Sequence, residues 1–249
     1  MTVLGSLREI ESKLNRPLSL HEVVGFLEDI LADLLALHEK DLLVLDLRPD
    51  VVMIEQESSK MRAWIAKVDP GIVPGRVPFH IMSPSSLIYV APEHLATTGL
   101  AACRYFMPHW LRSDVFSFGV LAVELLSGHP PATSPTGLQL FQQYFVHRQT
   151  VTIPKVVPSV YIPLLRRCLA LEPTARPAAQ ELCDEFRAAT RELFKAIPAP
   201  APAPPLAPSV TRPSVSAGGG GKATAPVSSV STVAAPARVP TAAQPTPAP

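Results

Sequence analysis

A long helix is predicted behind Ser19, where apolar side chains recur every three or four residues. The apolar positions are Leu20, Val23, Val24, Leu27, Ile30, Leu31, Leu34 and Leu35. Ser19 is followed three residues later by Glu22, which is the spacing of a capping box at a helix start. This pattern predicts a helix of about twenty residues, and its wide apolar stripe predicts that the helix is largely buried.

A second segment, VFSFGVLAVELL, is apolar on nearly every helical face. Ser113 or Asp114 is predicted to cap this helix, and Ser127 with Gly128 to end it. A helix of this composition belongs in a protein interior. The same reading predicts further helices over residues 138–148, 159–171 and 178–196.

Two short apolar runs between these helices, residues 51–54 and 61–68, predict a β-hairpin. The polar segment EQESSK separates them and predicts the connecting loop. Residues 69–84 then contain two glycines and four prolines, which predicts an irregular segment. A segment of this length without regular structure is usually functional or mobile in a compact domain.

Proline composition divides the chain into two parts. Of the 29 prolines, thirteen lie from Pro198 onward, where the only charged residues are Arg212, Lys222 and Arg238. Such a segment buries too little apolar surface to offset the entropy of ordering it. We therefore predict a folded domain over residues 1–196 and a disordered tail rich in Pro, Ala, Ser and Gly over residues 197–249.

Charge and cysteine usage exclude several classes of protein. The net charge of +1 gives no sign of a nucleic-acid or anionic membrane partner. Cys103, Cys168 and Cys183 have no CxxC spacing, which favours a reducing compartment over a disulfide framework. With no signal peptide and no uncharged apolar run of membrane-spanning length, we expect a cytoplasmic protein.

A series of motifs resembles the catalytic domain of protein kinases, in the family's order and spacing. They are VLDLRPDVVMI, YVAPEHL, RSDVFSFGVLAVELLSGHPP and CLALEPTARPAAQEL, preceded by Gly5-Ser6-Leu7. The resemblance covers residues 5 to about 187, from the family's hinge to its last helix, and leans toward the tyrosine-kinase-like branch. It implies the mainly helical C-terminal lobe, with a short hairpin at the catalytic and metal loops, and an N-terminal lobe missing from this chain.

The resemblance also assigns residues to phosphoryl transfer. Asp46 matches the aspartate that orients the substrate hydroxyl and accepts its proton, and Arg48 replaces the lysine that contacts the transferred phosphate. Asp69, in Asp69-Pro70-Gly71, matches the magnesium-binding aspartate of the Asp-Phe-Gly motif, and Gly71 its glycine. ATP and magnesium are the cofactors implied by the family.

Other positions depart from the family and weaken that expectation. Val44 and Leu45 replace the histidine and arginine before the catalytic aspartate, and the arginine normally pairs with a phosphorylated activation loop. Val51 stands at the position of the asparagine that holds the second magnesium, and valine offers no oxygen. Pro70 replaces the phenylalanine of the metal loop. We therefore expect ATP and magnesium binding to be weak or absent.

Three further residues are expected to maintain the architecture rather than the chemistry. By resemblance, Glu93 and Arg176 form a buried ion pair that fastens the Ala-Pro-Glu segment to the late helices. Asp114 is expected to accept hydrogen bonds from backbone N–H groups of the catalytic loop. All three residue types are present at the matching positions.

Two other features carry weaker alternatives. Cys103 and His109, in residues 96–112, could contribute to a zinc site, although two ligands are short of the usual four. The aromatic residues of that segment favour packing on the domain, with a partner-binding patch as the alternative. The run Gly218–Gly221 before Lys222 resembles a phosphate loop only superficially, because no strand precedes it and no helix follows, so a linker is favoured.

Three functions therefore stay open. The first is a pseudokinase or truncated kinase that acts as an interaction module, with a protein partner and self-association through the face that meets the N-terminal lobe in kinases. The second is the lower lobe of an active ATP-dependent protein kinase, of the serine/threonine or dual type, with its N-terminal lobe missing from this chain. The third is a remnant without function. The chain as it stands is expected to be inactive as a phosphotransferase.

Overall fold

A computed structural model describes residues 2–14, 16–45, 47–57, 60–66, 84–95, 107–131 and 136–196. Asp46, Asp69, Gly71 and Cys103 lie outside the described residues, as do Pro70 and the tail from residue 197. The predictions made for these positions therefore stay predictions.

The predicted hairpin is present and belongs to a three-stranded antiparallel sheet, but residues 55–57 and 60, predicted as part of the loop, lie in its strands. Strands β2 (Val52–Glu57) and β3 (Lys60–Ile65) pair with Ile54 opposite Ala63. The additional strand β1 (Thr2–Ser6) pairs with β2, which lies between the other two strands. The register shifts between Val3 and Gly5, and Gly5 has φ 135°, a conformation that suits glycine at a bulge.

Helices α1 (Leu7–Lys13) and α2 (Leu20–His38) follow β1 and precede the hairpin. The capping box predicted for α2 is confirmed, since Glu22 N donates to Ser19 Oγ and Ser19 N donates to Glu22 Oε2 at 2.8 Å. Two aspartates of α2 also close the open edge of the sheet. Asp29 Oδ2 accepts from Ala63 N at 3.1 Å and Asp33 Oδ2 from Ile65 N at 3.0 Å, which satisfies backbone groups of an edge strand.

The central apolar helix is longer than the sequence predicts. Helix α4 runs from Met107 to Ser127, so it begins six residues before Ser113. The prediction that Ser113 or Asp114 caps this helix is wrong, because both lie inside it and bond to other parts of the chain. The predicted end at Ser127 and Gly128 is confirmed, with Gly128 at φ 74°.

The remaining predicted helices are present with altered ends or types. Helix α5 (Gly137–Phe141) continues as a π-helical turn (Gln142–Val146). The short helix α3 (Pro92–Leu95), which follows a 3₁₀ turn, was not predicted. A 3₁₀ turn (Ser159–Tyr161) leads into α6 (Ile162–Cys168), and α7 (Ala179–Ala196) follows. The described residues thus form a mostly helical domain with one small sheet.

A single large apolar core joins these elements. It contains residues of α2, the hairpin, α4, α6 and α7, among them Phe26, Ile54, Phe118, Leu165 and Phe186. Within the stretches that the structure describes, none of the helices combines the length and apolarity that a bilayer crossing requires.

Close packing of α4 on α6 makes Gly119 sensitive to substitution. A Cβ at Gly119 would lie 2.9 Å from the Cβ of Cys168 and 3.1 Å from a methyl group of Leu169. We expect Gly119→Ala to lower the free energy of unfolding by about 1–3 kcal/mol, as overpacking does in other cores. Urea unfolding followed by circular dichroism measures this effect.

Gly25 supplies the matched control for Gly119. It lies inside α2, and a Cβ built there meets no other atom within 4 Å. Gly25→Ala should therefore raise the free energy of unfolding by about 0.5–1 kcal/mol through helix propensity alone. Equal effects of the two substitutions would contradict the packing argument.

Candidate functional site

The loop between α2 and β2 is held in place by the buried carboxylate of Asp114. Asp114 Oδ1 accepts from Leu45 N at 2.7 Å, and Oδ2 accepts from Val44 N at 3.0 Å. His38, the last residue of α2, lies 3.0 Å from Oδ2 through its Nε2. The carboxylate therefore joins the end of α2 to the loop from the interior of α4, rather than from its start.

Leu45 adopts a backbone conformation that is unusual for its residue type. Its φ is 55°, in the left-handed region that side chains with a Cβ rarely occupy. The bond from its N–H to Asp114 offsets that cost. Leu45 is the residue before Asp46, so this geometry fixes the backbone immediately next to the predicted catalytic position.

Apolar packing surrounds the loop where the sequence resemblance would place polar residues. Val44 is buried in the main core, and Leu45 forms a second small cluster with Leu43 and Trp110 of α4. Sequence reasoning treated Trp110 as one of several aromatic residues in a segment and did not connect it with the loop. Val44 and Leu45, the two departures from the family pattern before Asp46, are therefore packed as buried apolar side chains.

Val51 and Arg48, in the second half of this loop, are the residues that the resemblance relates to a cation and to a phosphate. Val51 is 7% exposed, and its backbone bonds to Arg48 O at 3.0 Å and to Ala66 N at 2.9 Å. Its side chain has no oxygen with which to bind a hard cation. Arg48 Nη1 donates to Asp50 Oδ2 at 3.0 Å, so the carboxylate that follows it in the loop partly neutralises its charge.

A buried ion pair joins α3 to the segment before α7. Arg176 Nη1 lies 2.7 Å from Glu93 Oε1, and Nη2 lies 2.8 Å from Oε2. Ser113 Oγ donates to the same Glu93 Oε1 at 2.7 Å. Burial alone raises the pKa of Glu93, but the bonds and charge of Arg176 outweigh it and hold that pKa below the ordinary range.

A third buried carboxylate, that of Glu124, was missed by the sequence analysis. Glu124 of α4 accepts from Arg8 Nη1 at 2.8 Å and from the hydroxyl of Tyr89, and Arg8 Nη2 donates to that hydroxyl at 3.1 Å. The available signal was the one charged residue in the apolar segment VFSFGVLAVELL. This cluster borders a cavity of about 240 Å³ that Glu11 also lines, where burial and the charge of Glu124 raise the pKa of Glu11.

The described residues give a partial test of the magnesium site implied by the family. Among them, no three His, Cys, Asp or Glu side chains gather as a metal site would require. Of the positions that the resemblance assigns to magnesium, Val51 is described, and its side chain has no oxygen for a cation. Asp46 and Asp69, the predicted acidic groups, lie outside the described part of the chain.

Comparison with known proteins indicates the same family as the sequence motifs. The model of the protein kinase domain family matches residues 2–186. Serine/threonine-protein kinase PknL of Mycobacterium tuberculosis is 30% identical over 166 residues, covering 62% of this chain and 37% of the relative. Serine/threonine-protein kinase PkaA of Streptomyces coelicolor is 30% identical over 165 residues, 63% of this chain and 27% of the relative.

A eukaryotic relative matches over a longer stretch. Serine/threonine-protein kinase shk1/pak1 of Schizosaccharomyces pombe is 24% identical over 182 residues, which covers 72% of this chain and 25% of the relative. The chain thus spans between a quarter and little more than a third of the length of these curated relatives.

Proposed function

This chain belongs to the protein kinase domain family, and we propose that it works as a pseudokinase, a kinase-derived module that binds a protein partner and does not transfer phosphate itself. The buried side chain of Val51 carries the proposal: by the resemblance of its loop to that of kinases, Val51 stands where a magnesium-binding asparagine is expected, and it has no oxygen to offer. Phosphoryl transfer depends on positioning and charge stabilisation by metal ions, so loss of a metal ligand removes part of the catalytic apparatus.

The loop around Val51 supports the same conclusion. Val44 and Leu45 are buried among apolar side chains, so this loop offers no cation at residues 44 and 45 to a phosphorylated activation segment. Arg48 is paired with Asp50 at 3.0 Å, which reduces the charge it can offer to a phosphate. Each of these features is compatible with a stable loop and unfavourable for phosphate transfer.

The features that the chain retains maintain the fold. The Glu93–Arg176 pair and the bonds from Asp114 to Val44 and Leu45 hold the loops on the helical core. A module that presents a fixed surface to a protein partner needs this rigidity and does not need magnesium. The partner is therefore proposed to bind the folded domain itself.

The proposal predicts that ATP and magnesium together do not stabilise the full chain. A ligand present at about one hundred times its dissociation constant would raise the melting temperature of a domain this size by roughly 5–10 °C. We expect no such rise in differential scanning fluorimetry at millimolar MgATP, and no transfer from radiolabelled ATP to a generic protein substrate.

Two variants sharpen this experiment. Val51→Asn returns an amide oxygen to the metal position, so a magnesium-dependent rise in this variant alone would identify Val51 as the obstacle. Asp46→Asn removes the predicted catalytic aspartate. Phosphate transfer by the unmodified chain that Asp46→Asn abolishes would overturn the proposal.

Such transfer would instead favour the second candidate, part of an active serine/threonine kinase. The observation behind that candidate is the bracing of residues 44 and 45 by Asp114, which fixes the backbone beside Asp46. It predicts a magnesium-dependent thermal shift in the unmodified chain. The same measurement therefore separates the two functions.

A further inference from the structure

Exposed apolar side chains are concentrated on α5 and the π-helical turn that continues it. Of the six large apolar side chains that are exposed among the described residues, three lie within residues 138–146. Leu138 is 67% exposed, Phe141 42% and Val146 63%. Exposed apolar residues that occur singly are ordinary, whereas a group of them on one element indicates an interaction site.

These side chains form one continuous surface. Leu138 and Phe141 are three residues apart on a helix, which places them on the same face. The ring of Phe141 lies against the ring of Phe145, with centroids 4.8 Å apart, and Phe145 packs in turn on the main core. Val146 follows Phe145 directly in the π-helical turn. We call Leu138, Phe141, Phe145 and Val146 the α5 surface.

The backbone that carries the α5 surface has an irregular and well-connected shape. Residues Gln142–Val146 form a π-helical turn, a rare feature that occurs frequently at functional sites. Gln149 N donates to Gln143 O at 2.9 Å and Gln143 Nε2 donates to Thr150 O at 3.2 Å, so the chain that leaves the turn runs back beside it. Arg148 has φ 51°, which is uncommon for a residue with a Cβ. A surface that is fixed before binding loses less entropy when a partner docks.

The charged residues in this part of the chain are mainly basic. Residues 125–171 contain no Asp or Glu, although the chain has 21 of them, and they contain four Lys or Arg residues. Two of these four are Arg148 and Lys155, which are both exposed. Arg148 lies 3.8 Å from Glu172, but these side chains are 69% and 72% exposed, and ion pairs in water are weak. The α5 surface therefore favours a partner that carries acidic groups beside its apolar ones.

We propose that the α5 surface binds an acidic amphipathic helix of a partner protein, whose apolar side chains contact Leu138, Phe141 and Val146 and whose carboxylates lie toward Arg148. Amphipathic helices present apolar side chains at a spacing of three and four residues, which suits a surface formed by another helix. The inference rests on the proposed function in taking the partner to be a protein. The two can fail separately, because the α5 surface takes no part in the MgATP measurements.

Two other occupants fit this surface less well. Anionic lipid surfaces are typically bound through clusters of about four to eight Lys or Arg residues, and Arg148 and Lys155 are only two. A second copy of the chain related by a two-fold axis would use the same face in both copies. It would bring two Arg148 side chains, one from each copy, toward each other, and like charges repel.

The probe is a synthetic peptide with an acetylated and an amidated end, in which leucines at positions i, i+3, i+4 and i+7 are flanked by glutamates. A matched peptide carries lysine in place of every glutamate. Each peptide is titrated into the full chain with labelled Leu and Val methyl groups, which include those of Leu138 and Val146, and chemical shifts are recorded by NMR. We expect saturable shifts of these methyl groups with the glutamate peptide and at least about tenfold weaker binding of the lysine peptide.

Variants of the chain assign the binding to the α5 surface. Phe141→Gln should weaken binding of the glutamate peptide at least about tenfold, because it removes the apolar centre of the surface. Leu138→Gln, at a more exposed position, repeats the test with less risk to the fold. Val3→Gln is the matched control, since Val3 is 55% exposed but lies on β1, and it should leave binding unchanged. An unchanged melting temperature shows that each variant keeps its fold.

A charge reversal tests the electrostatic part of the proposal. Arg148→Glu should weaken binding of the glutamate peptide and strengthen binding of the lysine peptide, each by about threefold to fivefold, as exposed charge pairs do. The absence of saturable shifts with the glutamate peptide would overturn the proposal. Equal binding of that peptide to Leu138→Gln, Phe141→Gln and the unmodified chain would also overturn it.

Two further measurements test the other occupants. Binding of the full chain to vesicles that contain phosphatidylserine, if Phe141→Gln abolishes it, would show that the α5 surface meets a membrane. A concentration-dependent dimer in light scattering, if Phe141→Gln abolishes it, would show that a second copy covers the surface. Either result would replace the proposed partner helix, whereas a monomer that does not bind vesicles and binds the glutamate peptide supports it.

Discussion

Replacing Arg176 with alanine is expected to lower the free energy of unfolding by about 3–5 kcal/mol, because it leaves the Glu93 carboxylate buried without its partner. The Arg176 side chain is fully buried and makes two bonds to Glu93, at 2.7 and 2.8 Å. It also donates to the backbone carbonyls of Ala170, Arg112 and Leu171. Its guanidinium carbon lies 5.0 Å from the centre of the Phe116 ring, so the substitution also removes packing.

An exposed arginine provides the control for this prediction. Arg167 is 41% exposed at its side chain and pairs with Glu181 and Glu185 of α7. Because solvent screens such pairs, Arg167→Ala should cost no more than about 1 kcal/mol. Urea unfolding of both variants measures the difference, and a similar loss in the two would show that the buried pair contributes nothing special to stability.

The effect of Arg176→Ala should depend on pH. The pKa of Glu93 lies below its ordinary value of 4.5 in the folded chain, so the pair contributes its stability above pH 4.5 and loses it as the pH falls through the lowered pKa. Without Arg176, burial dominates and raises the pKa of Glu93, so the carboxyl group takes up a proton more readily. The loss of stability should therefore be larger at pH 8 than at pH 5.

The long helices could be predicted from the sequence because their own periodicity determines them. Helix α2 and the end of α4 follow from the capping box at Ser19 and from the apolar run that stops at Gly128. Strand β1 could not be predicted in this way, because its five residues are held by pairing with β2, about fifty residues further along the chain. The earlier start of α4 was missed for a related reason: Ser113 and Asp114 bond to distant groups rather than cap the helix.

The candidate site was predictable only where a family motif named the residues. Motifs identified Glu93, Asp114 and Arg176, and the structure adds the distances and the second donor to Glu93, Ser113. No motif connected Arg8 with Glu124, which are 116 residues apart in sequence. The sequence also gives no sign that the hydroxyl of Tyr144 is buried without a hydrogen-bond partner among the described residues, because that depends on which groups the fold places around it.

Asp114→Asn should lower the free energy of unfolding by about 3 kcal/mol and loosen the loop beside Asp46. An asparagine of the same shape keeps one acceptor oxygen but presents an NH₂ group where Asp114 accepts from Leu45 N at 2.7 Å or from Val44 N at 3.0 Å. At least one buried N–H then loses its partner, together with a charged hydrogen bond, each of which costs on the order of 1–3 kcal/mol. Urea unfolding measures the total.

Hydrogen exchange at the Leu45 amide separates a local effect from a global one. Leu45 holds φ at 55° at a cost of about 1–2 kcal/mol for a residue with a Cβ, and the bond to Asp114 opposes the return to an ordinary conformation. In Asp114→Asn this amide should exchange faster than amides in the core of α2, whose protection depends on global unfolding.

Asp50→Asn is the control within the same loop, because Asp50 is exposed and pairs only with Arg48 among the hydrogen bonds and ion pairs described for it. That variant should change stability by no more than about 1 kcal/mol and leave the Leu45 amide unaffected. If Asp114→Asn behaved in the same way, the backbone beside Asp46 would be held by the apolar contacts of Leu45 with Leu43 and Trp110 instead. The loop conformation would then be a consequence of packing and not of the buried carboxylate.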